Sequence, residues 1–333
     1  VSTNNQMWIR DVVPTVVPVL LLVLAVNLYA VWFVGAERTL YHADRVSYWS
    51  YSSNLAKAAV ERPMAAVSAV ARSVANNDLN LLPAVPIAVA MAVFGDSRLS
   101  YVLSVINIYG LAAVLALLFS VWSADGRPRW WVVLVTFLLF PTMWRAVFIG
   151  YVGIGGVAIG LVVVALAWSG WDATVSYRLL AVAGAALAVL VVFRRWWLVW
   201  AVAFLVVAAG DGLARFLRSR FDMTGRLKES FLGPVVLATS ATVTVFVLSA
   251  PVMVRRLTTD YADRFTIWRL DSIGERWAAL VGHFGVVGLF LVAAAVFVLV
   301  RTNELRRPAI LLAMHAIATY VIMTRIQDHS PQH

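Results

Sequence analysis

Long apolar runs recur along this chain at short intervals, almost free of charge and each close to the length a helix needs to cross a bilayer. A hydrocarbon core of about 30 Å takes roughly 20 helical residues. By that ruler residues 12–34, 99–122, 130–149, 151–168, 231–254 and 278–300 each predict a span, and the shorter run 308–323 another. Residues 179–210 are apolar except at Arg194 and Arg195. As one helix they would reach about 48 Å with two guanidinium groups at the centre, a costly arrangement in hydrocarbon. The stretch therefore reads as two short helices meeting at Phe193-Arg194-Arg195-Trp196-Trp197 near one membrane surface, and about nine spans result.

Composition removes the other classes. The 333 residues are 62% hydrophobic and 13% charged, with mean hydropathy +0.84, whereas a soluble domain is about one quarter charged. An ordinary soluble globule and a disordered chain are excluded, and with no cysteine so are a disulfide scaffold and a cysteine zinc site. The net charge of +10 comes from 27 Lys+Arg against 17 Asp+Glu. No compact basic stripe interleaved with aromatics accompanies it, so nucleic acid is not an expected partner. Basic residues in a polytopic protein fix orientation and meet lipid headgroups. With the N-terminus inside, the short inner segments hold 12 of them and the outer ones 9, and Arg215 to Lys228 carries most of the excess. Most of the 14 Trp fall at span ends, as an interfacial belt would place them.

The expected architecture is thus an all-α polytopic membrane helix bundle, a single domain over residues 1–333, with a long outer loop at 35–98 after the first span and the remaining spans over 99–323. The first span is too long for a signal peptide and no small-residue cleavage site follows it, so it is expected to stay as an anchor. The polar end, residues 325–333, stops soon after a span and reads as a C-terminal truncation.

A loop of 64 residues is usually functional when ordered. It opens with Glu37-Arg38-Thr39-Leu40-Tyr41-His42-Ala43-Asp44-Arg45-Val46-Ser47-Tyr48-Trp49, which sets two carboxylates, a histidine and several aromatics just outside the membrane. Apolar residues then recur at helical spacing until Pro63 interrupts them, which predicts one or two helices lying in the interface. The polar turn Asn76-Asn77-Asp78-Leu79-Asn80 follows, then an apolar run at 81–94 too short to span, and Gly95-Asp96-Ser97-Arg98 turns the chain into the next span.

These residues carry a resemblance. The first span, the acid-bearing outer loop with its interfacial helices, Asp78-Leu79-Asn80-Leu81-Leu82-Pro83 and Phe94-Gly95-Asp96-Ser97-Arg98-Leu99-Ser100-Tyr101 resemble the GT-C superfamily of integral-membrane glycosyltransferases. The likeness is greatest to bacterial proteins grouped with glycosyltransferase family 39, over about residues 12–122, while 193–197 and the outer loop 258–277 look similar to later parts of such proteins. The adjacent pair of acids found after the first span in many members is absent, and Glu37 and Asp44 stand seven residues apart.

The resemblance implies transfer of a sugar from a polyprenyl-phosphate carrier to a glycan, lipid or protein acceptor, with the active site on the outer face of the cytoplasmic (inner) membrane. It implies a carboxylate as base or as ligand of a divalent cation such as Mg or Mn, with Asp44 the candidate for either role and Glu37 a second candidate for the catalytic one. Arg194 and Arg195, with Arg98 behind them, would clamp the donor phosphate. Tyr48 and Trp49 would stack on the sugar, and Asn77 and Asp78 are further candidates for sugar or acceptor contact. The plainer alternatives are that Asp44 pairs with Arg45 or Arg38 in solvent, that Asp78 caps a helix, that the diarginine snorkels to lipid phosphates, and that His283 and His315 make interhelical hydrogen bonds.

Glycines at 150, 153, 156 and 160 form a small-residue stripe for helix packing. No strand precedes them and no Walker lysine follows, so no nucleotide loop is read there. Two other functions compete with the transferase. A lipid-linked-glycan flippase or other transporter predicts acids along a path through the spans, whereas the acids here lie in loops. A non-catalytic membrane partner would keep the fold without the activity.

Overall fold

The computed structural model describes residues 3–37, 44–125, 131, 146–171, 176–218, 223–258, 272–302 and 306–326. Side chains are described for all of these except residues 3–15, 44, 45, 119, 121–125, 171, 218, 223–229, 256, 257, 283, 325 and 326. Among the described residues every element is helical. The chain divides into two compact units, Val1–Ala165 and Leu166–His333.

The first unit opens with α1 (Thr3–Ala36), followed by α2 (Asp44–Glu61) and α3 (Pro63–Asn76). A 3-10 turn (Leu82–Ala84) leads into α4 (Val85–Phe94). Then α5 (Arg98–Ser104), a π-helical turn (Val105–Gly110) and α6 (Leu111–Asp125) run on from one another. The unit boundary falls within α7 (Gly153–Trp171). The second unit contains α8 (Tyr177–Phe193), α9 (Trp197–Arg218), α10 (Met223–Thr258), α11 (Ile273–Arg301) and α12 (Arg306–Ile326).

Among the described residues, seven stretches are long and apolar enough to cross a membrane: Val16–Ala36, Arg98–Leu118, Gly153–Gly170, Trp197–Leu217, Ser230–Arg255, Phe284–Arg301 and Arg306–Thr324. Each answers to a span expected from the sequence. Of the other two expected spans, Tyr177–Phe193 is a shorter apolar helix, and 130–149 lies largely outside the described residues. The expected break inside 179–210 is present, since α8 stops at Phe193 and α9 starts at Trp197.

Lipid-facing and packed sides are distinct on α1. Leu20, Leu21, Leu24, Leu28 and Trp32 are exposed, while Val19, Leu22 and Val23 pack with Val114, Leu117 and Leu118 of α6. Midway along, Asn27 and Asn107 form a reciprocal amide pair at 2.9 and 2.7 Å. Each spends its second N–H on the carbonyl four residues back, Val23 and Leu103, at 2.8 Å. All four amide N–H groups are satisfied, which is the condition for placing them among hydrocarbon. A narrow apolar crevice, with free space of only about 30 Å³, opens beside the pair, lined by Leu22, Val26, Leu111 and Val114 among others.

In the second unit α8 packs tightly on α10. Gly184 faces the Leu237 carbonyl so closely that a Cβ would overlap it, and Ser240 Oγ donates to the Ala181 carbonyl at 2.6 Å. Within α10, Ser249 leaves helical geometry two residues before Pro251, whose ring cannot accept the preceding turn unchanged. His315 Nε2 bonds the Trp200 carbonyl at 3.1 Å and stands edge-on to the Trp200 ring, the interhelical contact expected of an imidazole in a span. The His283 side chain lies outside the described residues.

Candidate functional site

Residues between the first two candidate spans fold as packed helices. Pro63 makes the division: α2 ends at Glu61, Arg62 leaves the helical region, which proline disfavours for the residue before it, and α3 restarts with Pro63 in its first turn. Along α2, Tyr48, Ser52, Leu55 and Ala56 are buried, and α4, which it touches, buries Ile87, Ala88 and Met91. The α3 face carrying Met64 and Val67 is exposed, whereas Ala66 and Ser73 turn inward.

Two ionic contacts tie this layer to the span ends. The first joins two residues expected at the site. Glu37 follows directly on α1, its N–H still bonded to the Phe33 carbonyl at 2.8 Å. Arg98, the first residue of α5, donates Nη2 to the Glu37 carboxylate and Nη1 to the Glu37 carbonyl at 3.2 Å. The side chains are 22% and 13% exposed for Arg98 and Glu37, so the pair is sheltered. The start and finish of the long connection are thereby closed on one another. Arg98 has an anion supplied by the chain itself, and Glu37 has a fixed cation.

The second contact was not read from the sequence. Asp96 receives Ser53 Oγ on one carboxylate oxygen, the Trp49 indole N–H at 3.4 Å on the other, and Lys57 Nζ at 3.4 Å. Trp49, Ser53 and Lys57 are four residues apart in sequence and so form one row along α2. The Ser53 hydrogen bond, helped by Trp49 and Lys57 and opposed by partial burial, holds the Asp96 carboxyl below its ordinary range. The i, i+4, i+8 row of donors is visible in the sequence; its acceptor, some 40 residues on, is not.

The aromatics expected to hold a sugar are packed. Tyr48 is 2% exposed, with the Tyr51 ring edge-on at 5.9 Å. Trp49, besides its bond to Asp96, stacks on Tyr101 at 6.1 Å. Tyr101 is fully buried and donates its hydroxyl to the Gly150 carbonyl at 2.8 Å, while Gly150 adopts φ +83° and leaves no room for a Cβ against that ring.

The polar turn is also organised. The Asn77 N–H closes α3 on the Ser73 carbonyl at 2.8 Å, and Asp78 follows half-buried. The Ser73 hydroxyl takes the Leu81 N–H at 2.8 Å, and Asn80, 2% exposed, takes the Leu82 N–H at 2.9 Å. Tyr109 from the π-helical turn donates to the Pro83 carbonyl at 2.5 Å. Asn80 is thus the structural residue of this turn, and Asn77 and Asp78 stand nearer its surface.

The backbone of Asp44 opens α2, four residues ahead of Tyr48; its side chain, and His42, lie outside the described residues. Arg194 and Arg195 belong to the second unit. Arg194 ends α8 in an extended conformation and is 5% exposed, and the Arg195 guanidinium lies 5.0 Å above the Trp196 ring. Among the described residues no three Asp, Glu or His side chains converge, so they do not make a divalent-cation site.

Sequence reading also missed Asp211, which joins α9 to α12 through Arg307. Compared with known proteins, the chain matches no family model, no curated protein and no solved structure.

Proposed function

We propose that the protein is an integral-membrane glycosyltransferase that passes a sugar from a polyprenyl-phosphate carrier to an acceptor hydroxyl at the outer face of the membrane. The observation that carries this reading is the helical layer between the first two candidate spans, held to both span ends by Glu37–Arg98 and by Asp96 against α2. A layer so anchored presents fixed groups at a lipid surface, where both a lipid-borne donor and a soluble acceptor can be met.

In the reaction, the Asp44 carboxylate takes the proton of the acceptor hydroxyl while that oxygen forms a bond to the anomeric carbon. The bond from that carbon to the phosphate oxygen breaks, inverting the centre and releasing polyprenyl phosphate. Growing charge on the leaving phosphate calls for a cation, the role that the sequence resemblance implies for Arg194 and Arg195. The transporter reading predicts acids lining a path through the spans. Among the seven candidate spans only Trp197–Leu217 contains one, Asp211, and two arginines neutralise it.

The test is to incubate the purified protein with radiolabelled polyprenyl-phosphate sugars and follow sugar transfer or release. Turnover with at least one donor is expected. A folded protein that turns over none of a broad donor and acceptor panel would contradict the reading and favour a transporter or a non-catalytic partner.

A further inference from the structure

At one end of the second unit, α9 and α12 share a carboxylate. Asp211 accepts Arg307 Nε at 3.2 Å on one oxygen and Arg307 Nη2 at 2.7 Å on the other, a forked pair across 96 residues of sequence. Arg215, one turn further along α9, brings its Nε to 3.1 Å from the same carboxylate. Asp211 is the anion that Arg215 meets, and Nη2 of Arg215 is buried with no hydrogen-bond acceptor among the described residues. Two guanidinium groups therefore stand against one carboxylate that is 12% exposed. Among the described residues this notch carries one more positive charge than negative and a buried donor without an acceptor.

Its place decides what that acceptor is. Trp197–Leu217 ends here and Arg306–Thr324 begins here, so the ion pair puts both helix ends at one membrane surface, where headgroups are the concentrated anions. Arginine forks match phosphate oxygens in geometry as well as charge, and basic notches between spanning helices collect anionic headgroups. We propose that Arg215 and Arg307 bind the phosphodiester of an anionic phospholipid at this surface, with Asp211 holding the two guanidinium groups side by side. The site is independent of the transferase reading. Asp211 opposes the ligand by charge even as it orients the ligand's partners, and this gives the proposal a signature that a purely structural ion pair lacks.

The experiment uses the full chain in phosphatidylcholine nanodiscs doped with phosphatidylglycerol, with the lipid retained per chain read by native mass spectrometry. Wild type should keep phosphatidylglycerol over phosphatidylcholine, and Arg215→Gln and Arg307→Gln should each lower that preference by about five- to tenfold. Asp211→Asn keeps an oxygen for the guanidinium groups and removes the competing charge, so retention should rise. If a Gln variant fails to fold, Asp211→Asn decides alone: unchanged or lower retention in the folded variant overturns the proposal. Equal retention by wild type and folded Gln variants overturns it as well. Displacement of the lipid by an equal concentration of inorganic phosphate would overturn the assignment to a lipid.

Discussion

Asp96 is the residue whose chemistry can be followed most directly. Its carboxyl is held low mainly by the Ser53 hydroxyl, with Trp49 and Lys57 contributing, and it joins α2 to the turn that starts the second candidate span. A carboxyl with its folded pKa below the unfolded value stabilises above the unfolded pKa of about 4, and loses that contribution as pH falls through the folded value. Hydrogen exchange over residues 45–60, corrected for intrinsic rates, should therefore stay constant from about pH 7 to pH 5 and rise below about pH 4. Asp96→Asn should show faster exchange at neutral pH and little further change with acid. Equal protection in both proteins across that range would show that Asp96 does not hold α2. The Glu37–Arg98 pair lies between surface and buried limits, so Glu37→Gln or Arg98→Met should each cost about 1–3 kcal/mol. In a double-mutant cycle of thermal melts the combined variant should cost less than the sum; additivity would mean that the two do not interact.

At the scale of elements, close packing of helices separates two glycines that look alike in sequence. Gly184 meets the Leu237 backbone directly, while nothing lies within 4 Å of a Cβ at Gly110. Gly184→Val should force α8 away from α10 and lower the melting temperature by several degrees or prevent folding, whereas Gly110→Ala should melt within a degree or two of wild type. Comparable melting of the two variants would refute the packing. The elements also show what the chain discloses in advance. Apolar length and the cost of burying Arg194 and Arg195 suffice to divide α8 from α9, and Pro63 suffices to divide α2 from α3, because each is a local effect. The partners of Asp96 and Asp211 are not local. A row of donors at 49, 53 and 57 fits any solvated helix face, and an aspartate next to Gly210 reads as the close of a span until Arg307 arrives from another helix. Tyr48 and Trp49 are sugar-stacking candidates only by the resemblance; the packing that makes Tyr48 core and sets Trp49 against Tyr101 depends on partners from other elements, which the sequence does not show.

For the molecule as a whole, charge gives orientation only weakly, while the Asp211–Arg307 pair sets the last turns of α9 beside the start of α12. The chain has no cysteine, so single introduced cysteines report cleanly. Leu217→Cys and Thr302→Cys should react with an impermeant maleimide from the same side, and Thr258→Cys, at the end of α10, from the other. Labelling of Leu217→Cys and Thr302→Cys from opposite sides would break the fold of the second unit as described. The central claim is that this bundle transfers sugar with Asp44 as its base, and the most direct measurement compares the rate of transfer from a polyprenyl-phosphate sugar by wild type and Asp44→Asn. A loss of at least about a hundredfold in the variant, with melting unchanged, is the predicted result; equal rates in the two proteins would contradict it.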